Sequence, residues 1–311
     1  MDKLKSALEA MFTPSPAVFA IGVAVIILFP VLLHYILGRA TGYTSLPSVL
    51  LVGPSGAGKT ALLTLFERGP LPQTTKSPST PAAAPTHTSQ TPSAVELAVS
   101  EDRTSSFRDD LDATGSAAKK FLLLDTPGHG KLRQHALSRL SSSSSDLSKS
   151  GSSPAPGKPP RAVVFVVDAA DADGLTGAAE YLYEVLLSLQ RRAAAARTSR
   201  GPGSVPVLVA ANKLDLFTAL PAALVRSGLE SELGRLRSTR SRALPDSGVG
   251  ADEVDGGGPE EADGWLGEYG SEKFSFGQMM EFGVEVDVIG GNVVGEGPGV
   301  DKWWKWIADR I

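Results

Sequence analysis

The chain has 311 residues, with 30 Lys plus Arg against 34 Asp plus Glu and a formal net charge of −4. That balance excludes a protein built to coat nucleic acid, which needs a strong positive excess. Cysteine is absent and there are only four histidines, so a disulfide scaffold, a thiolate zinc site and a cysteine nucleophile are excluded as well. Along the chain, the first feature is the apolar run Ala17 to Leu37, which carries no Lys, Arg, Asp or Glu. At ~1.5 Å per helical residue it matches a bilayer core of ~30 Å, and it is longer than the ~7–15 apolar residues of a cleavable signal. The sequence therefore predicts a short terminus over 1–16, a transmembrane helix over 17–37 and a linker over 38–44. Lys3 and Lys5 before the span and Arg39 after it slightly favour a cytosolic N-terminus when counted alone.

From residue 45 onward the pattern changes to short apolar runs separated by helical periodicity. Ser48 to Val52 reads as a buried strand, then GPSGAGKT, then an apolar-periodic stretch from Ala61 to Glu67. Val95, Leu97 and Val99 alternate as in a half-exposed strand, and FLLLD (Phe121–Asp125) is a buried strand ending on a carboxylate. Ala162 to Val167 and Val205 to Ala211 are two more buried strands, with a helix over Gly177 to Arg197 between them. A second helix is expected over Thr218 to Arg237, a last strand over Glu281 to Ile289 and a terminal helix over Asp301 to Ile311. Segments near 69–93, 100–120, 141–160 and 241–264 are rich in Ser, Pro, Thr, Gly or acid and read as insertions. Buried strands alternating with helices predict an α/β domain, a mostly parallel sheet with helices on both faces.

Three motifs carry chemistry. Gly53-Pro54-Ser55-Gly56-Ala57-Gly58-Lys59-Thr60 fits the phosphate-loop pattern. Its glycines let backbone N–H groups face phosphate oxygens, Lys59 adds positive charge, and the Thr60 hydroxyl can ligate Mg²⁺. Ala61 follows directly at the start of the helix, whose N-terminal dipole favours an anion. The second motif, Asp125-Thr126-Pro127-Gly128-His129, closes the FLLLD strand. Asp125 there can hold Mg²⁺ through water, and Gly128 can offer its N–H to a γ-phosphate. The third, Asn212-Lys213-Leu214-Asp215, follows VPVLVAA. The Asp215 carboxylate can accept from guanine N1–H and the 2-amino group, Asn212 can bond the base edge or the neighbouring loop, and the Lys213 stem can cover the ring. In that order, each after an apolar strand, the three describe a guanine-nucleotide site in a P-loop NTPase of small-GTPase type. A guanylate-kinase-like enzyme would share the phosphate loop but leave the third motif without a role.

GPSGAGKT, FLLLDTPGHGKLR, NKLD and the closing DKWWKWIADRI, together with the apolar run near the N-terminus, resemble the signal recognition particle receptor β-subunit family. That family is a membrane-anchored relative of Arf- and Sar-like GTPases, and an Arf- or Sar-like trafficking GTPase is the second reading. The resemblance implies GTP/GDP and Mg²⁺ as cofactors and the receptor α-subunit as partner. It further implies a slow GTPase used as a nucleotide-gated binding module on the endoplasmic reticulum, passing its partner to the translocation channel without touching nucleic acid. The nucleotide site then requires residues 45–311 on the cytosolic side and 1–16 in the lumen, overruling the charge count. Within the switch loop, Thr86, Thr88 and Ser89 are the nucleotide candidates, with Thr88 the Mg²⁺ ligand and Thr91 its rival. Gly290, Gly291 and Asn292 stand where many GTPases close the base pocket with Ser-Ala-Lys, and can offer only backbone N–H or an amide. His129 stands where many place a water-orienting Gln and is the catalytic candidate. Asp168 reads as a loop cap, and Trp303, Trp304 and Trp306 as core packing.

Overall fold

A computed structural model describes residues 23, 25–30, 46–69, 85–99, 119–141, 160–197, 204–246, 265–267, 273–295 and 298–311. Contacts divide the chain into a unit Met1–Ser45 and a unit Leu46–Ile311. In the first, residues 23 and 25–30 are helical, with Ile26, Leu28 and Phe29 each well over half exposed. Among the described residues no helix is long and apolar enough to cross a membrane. Most of the expected span 17–37 lies outside the described residues, as do most of the four expected insertions.

The second unit is built on one six-stranded sheet. Its elements are β1 (Ser48–Val52), α1 (Lys59–Arg68), β2 (Ser93–Val99), β3 (Lys119–Asp125), α2 (Gln134–Ser141), β4 (Ala162–Asp168), α3 (Gly174–Arg197), β5 (Val207–Asn212), α4 (Ala222–Asp246), β6 (Val286–Gly290) and α5 (Asp301–Arg310). The strand order is β2-β3-β1-β4-β5-β6. Every pairing is parallel except that of the edge strand β2 with β3. Strand alternation splits the core in two. Leu50 and Val52 of β1 face α2, α3 and α4, where Phe165, Tyr181, Leu186 and Leu229 are buried. Val49 and Leu51 face α1 and α5, where Phe66, Phe121 and the tryptophans Trp303, Trp304 and Trp306 pack. Phe66 meets Trp304 edge-on with ring centres 4.9 Å apart, so the tryptophans are core side chains as their spacing suggests. Because β1 sends its successors to one side and β4 to the other, the crevice at the carboxyl end of β1 is the topological switch point.

The structure corrects several boundaries. Strand β6 begins at Val286, not Glu281. Residues Phe276–Phe282 instead form a 3-10 helix that buries Phe276 and Met279. It stops at Gly283, whose φ of 69° turns the chain into the strand. The second long helix starts at Ala222 rather than Thr218, since the Pro221 carbonyl accepts the first helical bonds from Leu224 and Val225. That helix runs on to Asp246, into what composition marked as an insertion beginning near 241. Helix α3 starts at Gly174, whose N–H donates to Asp171 Oδ1 at 2.9 Å. Beyond the long helix, segment 265–267 is tied down by Gln190, which donates to the Trp265 carbonyl and accepts from the Gly267 N–H. Arg237, 2% exposed, lies over the Trp265 ring at 4.8 Å.

Candidate functional site

The loop after β1 folds over the end of β4. Gly53 has φ 140°, and a Cβ there would meet the Val166 carbonyl oxygen at 2.2 Å, so only glycine fits. Gly56 and Gly58 are also left-handed, at 81° and 100°. The second of these immediately precedes α1, and its carbonyl accepts the Leu62 N–H at 2.9 Å. Lys59 is 5% exposed, and its Nζ donates to the carbonyls of Gly53 at 2.9 Å and Pro54 at 2.8 Å. Burial lowers its pKa to about 8, against the attraction of Asp125.

Thr60 Oγ1 donates to Asp125 Oδ2 at 2.7 Å, linking the phosphate loop to the end of β3. Desolvation raises the Asp125 pKa above the usual carboxylate range, opposed by the Thr60 bond and the Lys59 charge. Asp125 Oδ1 is buried with no hydrogen-bond partner. Such an orphan costs ~1–3 kcal/mol and marks a place where a polar or cationic group belongs. Thr126 is anchored by its hydroxyl to the Leu51 carbonyl at 2.7 Å. Gly128 then passes so close that a Cβ would meet Lys59 Nζ at 2.5 Å and the Gly53 oxygen at 2.6 Å. Ser55, Gly56, Gly58 to Ala61, Gly128 and residues 86–89 surround a cleft of about 240 Å³. Thr86, Thr88 and Ser89 are thus brought to the phosphate loop together with His87, which sequence gave no role. Thr91 lies outside that lining, and its carbonyl accepts the Ser89 hydroxyl at 2.9 Å.

At the other end, Asn212 works as a brace. Its Nδ2 donates to the Ala57 carbonyl at 2.8 Å, and its Oδ1 accepts the Val293 N–H at 3.1 Å. Lys213 stands at φ 67°, the one non-glycine positive φ among the described residues, and its Nζ pairs with Asp168 Oδ2. Asp215 is partly exposed beside Gly295, where a Cβ would meet its Oδ2 at 2.7 Å. Gly290 and Gly291 are close-packing positions: a Cβ at the first would strike Leu214, and at the second the Gly299 oxygen and the Trp303 ring. Of the two donors expected of Asn292, a backbone N–H or its amide, the amide is engaged within its own loop. Its Nδ2 donates to the Val294 and Gly295 carbonyls, each at 3.0 Å, and its Oδ1 accepts the Gly299 N–H at 2.8 Å. Those bonds shape the loop beside Asp215, and they occupy the amide.

His129 is exposed, and its Nδ1 accepts the Lys131 N–H at 3.3 Å as cap of a short 3-10 turn over Gly130–Leu132. Four residues on from His129, the Arg133 guanidinium lies 4.6 Å from the centre of the Tyr181 ring. Sequence missed this contact, and also the role of Asp168 toward Lys213. Asp168 does cap its own loop, accepting the Ala170 N–H at 3.0 Å. Its second partner follows from the fold, since β4 and β5 pair in parallel with Asp168 across from Asn212.

A sequence model of the family described as "Signal recognition particle receptor beta subunit" matches residues 44–280. The receptor subunit beta of Rattus norvegicus is 30% identical over 313 residues, covering 99% of this chain and 91% of that protein. That of Saccharomyces cerevisiae is 29% identical over 199 residues, covering 64% of this chain and 61% of its own length. Among solved structures, the "SRb-GTP/SRX complex" from Chaetomium thermophilum is 49% identical with a TM-score of 0.67. That likeness covers 85% of this chain and 100% of that one. The "SRb-GDP-Mg" structure from the same organism is 44% identical with a TM-score of 0.56, covering 87% and 100%. The fold, the nucleotide-site geometry and a family match over most of the chain agree: this chain belongs to the signal recognition particle receptor beta subunit family of small-GTPase fold.

Proposed function

We propose that this chain is the GTP-binding subunit of a signal recognition particle receptor, docking the α-subunit in its GTP-bound state at the endoplasmic reticulum membrane. The observation that carries the reading is the Thr60–Asp125 link with Asp125 Oδ1 left buried and orphaned. A buried carboxylate oxygen, a threonine hydroxyl and a buried ammonium around a glycine-lined loop suit a magnesium nucleotide. Thr60, Asp125 and Thr88 are the residues to hold Mg²⁺, which when bound neutralises charge on the β- and γ-phosphates. Lys59 and the backbone N–H groups of residues 55–61 hold the phosphates. Asp215 selects guanine, while Asn212 keeps the phosphate loop and the loop at 293 at a fixed separation. Two solved relatives are described as GTP- and GDP-Mg-bound, and one as a complex with SRX, which supports the nucleotide and the partner.

The catalytic demand is small in this reading. The side chains above position and neutralise charge, and no arginine is placed among the cleft residues. The chain acts as a slow GTPase whose residues 85–92 and 126–133 report the nucleotide to the partner. The apolar run 17–37 anchors it, with residues 45–311 in the cytosol.

Titration of the full chain with GTP, ATP and GMP tests the core of the reading. GTP is expected to bind at least ~100-fold more tightly than ATP, and GMP weakly. Equal affinity for GTP and ATP would remove the guanine assignment. Thr60→Asn is expected to weaken Mg²⁺-GTP relative to GDP and reduce capture of the α-subunit. Undiminished capture by nucleotide-free protein would remove the switch.

A further inference from the structure

We propose that Asp168 is a positioning residue of the base site, holding Lys213 as the fixed wall against which a guanine ring stacks; this rests on the guanine-nucleotide reading above. The two residues are 45 apart in sequence and meet only because β4 and β5 pair in parallel. That register sets Asp168 directly across from Asn212, the residue before Lys213. The backbone reinforces the junction, since the Ala169 N–H donates to the Asn212 carbonyl at 3.0 Å. Leu220, beyond the NKLD turn, donates its N–H back to the Ala169 carbonyl at 2.8 Å. Ala169, the residue after Asp168, therefore ties the end of β4 to both ends of the loop that carries the base-selecting residues.

The carboxylate is oriented before it meets the lysine. One oxygen accepts the Ala170 N–H at 3.0 Å, which aims the other at Lys213 Nζ. Lys213 in turn leaves β5 with φ 67°, a conformation that L side chains rarely adopt. A long flexible side chain in a sparsely populated backbone state is the kind of element that needs a partner at its far end. The pair is partly solvated, with side chains 35% and 21% exposed for Lys213 and Asp168, so its weight in global stability is slight. Its effect is on geometry: without it the lysine stem must be ordered by the nucleotide itself, which raises the entropic cost of binding.

The experiment uses the full chain and fluorescent GDP and IDP, with inorganic pyrophosphate as a probe of the phosphate side alone. Asp168→Asn keeps an oxygen for the Ala170 N–H and replaces the charged acceptor facing Lys213 with an amide NH2, which cannot accept from the ammonium. It is expected to speed GDP and IDP dissociation alike by about tenfold, the size of one positioned contact. Pyrophosphate competition and thermal midpoint stay unchanged. In the Lys213→Met background the same substitution is expected to change nothing. A dissociation rate equal to wild type overturns the proposal, and so does an undiminished effect of Asp168→Asn on top of Lys213→Met. An equal loss of pyrophosphate binding also overturns it, by showing general damage. Should Asp168→Asn fail to fold, Asp168→Ser, whose hydroxyl also accepts the Ala170 N–H, takes its place under the same criteria. Failure of the wild-type chain to bind GDP at all removes the guanine reading and this inference together, and is distinguishable from loss of the Asp168 effect alone.

Discussion

The two halves of the nucleotide site are held by different means. On the phosphate side, Lys59 Nζ donates to the Gly53 and Pro54 carbonyls of its own loop, and Thr60 donates to Asp125 at the end of β3, where a bound cation can take its place. On the base side, side chains bond across elements: Asn212 joins the phosphate loop to residue 293, and Lys213 reaches back to β4. The first arrangement is exchangeable, because a phosphate can replace a carbonyl as partner of the ammonium. The second is a brace that a ligand leaves in place. The phosphate half is thus suited to exchanging partners and the base half to staying still. A nucleotide switch needs both properties.

The largest expected effect comes from breaking the phosphate half. Gly128→Ala places a methyl within 2.6 Å of the Gly53 oxygen and against the Lys59 ammonium, so a backbone shift is forced. GTP affinity is expected to fall by more than ~100-fold, and stability by ~1–3 kcal/mol, the usual cost of overpacking. Calorimetric titration and a melting curve measure the two. Wild-type affinity in this variant would mean that the segment from Asp125 to Gly128 does not approach the phosphates.

Asn212→Ala tests the seam between the halves. It strips the Ala57 carbonyl and the Val293 N–H of their partner at once, at ~1–3 kcal/mol for each group left unpaired. Nucleotide dissociation is expected to rise about thirtyfold, with the thermal midpoint lowered. A variant that melts earlier but holds GDP as tightly as wild type would reduce Asn212 to a structural bond.

Such differences explain what could be read from sequence. Strands β1, β4 and β5 are continuous apolar runs because both faces are buried, so they were legible within two residues. The phosphate loop was legible because glycines at Gly53 and Gly58 are demanded by backbone geometry. The 3-10 helix before β6 was not, because Val284, Val286 and Val288 alternate like a strand that could begin earlier, and only tertiary burial of Met279 decides. The role of Asn292 was hidden too: an amide in a loop looks available until its own loop's carbonyls claim it. The Asp168–Lys213 pair needed the parallel register and a positive φ, neither of which a motif encodes.

Titration probes the phosphate half through the buried ammonium of Lys59. Burial lowers Lys59 from 10.5 to about 8, so between those values the unfolded chain holds more protons than the folded one. Stability is therefore expected to rise with pH across that window, by at most ~3 kcal/mol. Nucleotide affinity should move the opposite way, since the phosphates need the charged ammonium. It is expected to fall above pH about 8 by up to about tenfold per unit. Melting curves and GDP titrations from pH 7 to 10 give both slopes. Parallel slopes would show that Lys59 is not the titrating group.

The smallest effect is expected at His129, which belongs to neither half. Its ring is exposed and turned to cap the Gly130–Leu132 turn, with Nδ1 occupied by the Lys131 N–H. We predict that a side chain so engaged chiefly orders the segment after Gly128, its Nε2 being the one ring nitrogen left for a water. His129→Ala is therefore expected to leave GTP affinity within twofold and lower single-turnover hydrolysis by less than about threefold, a loss of under ~1 kcal/mol in barrier. The capping bond itself is of ordinary strength, so the melting point should shift only slightly. Hydrolysis slowed by thirtyfold or more at unchanged affinity would assign the imidazole to the water instead, and would mean that the turn over Gly130–Leu132 rearranges when nucleotide binds. His129→Asn separates the two roles further, because its amide oxygen can still accept from the Lys131 N–H while offering no imidazole. If capping is the role, the Asn variant hydrolyses like wild type; if proton or water positioning by the ring is the role, it is as slow as the Ala variant.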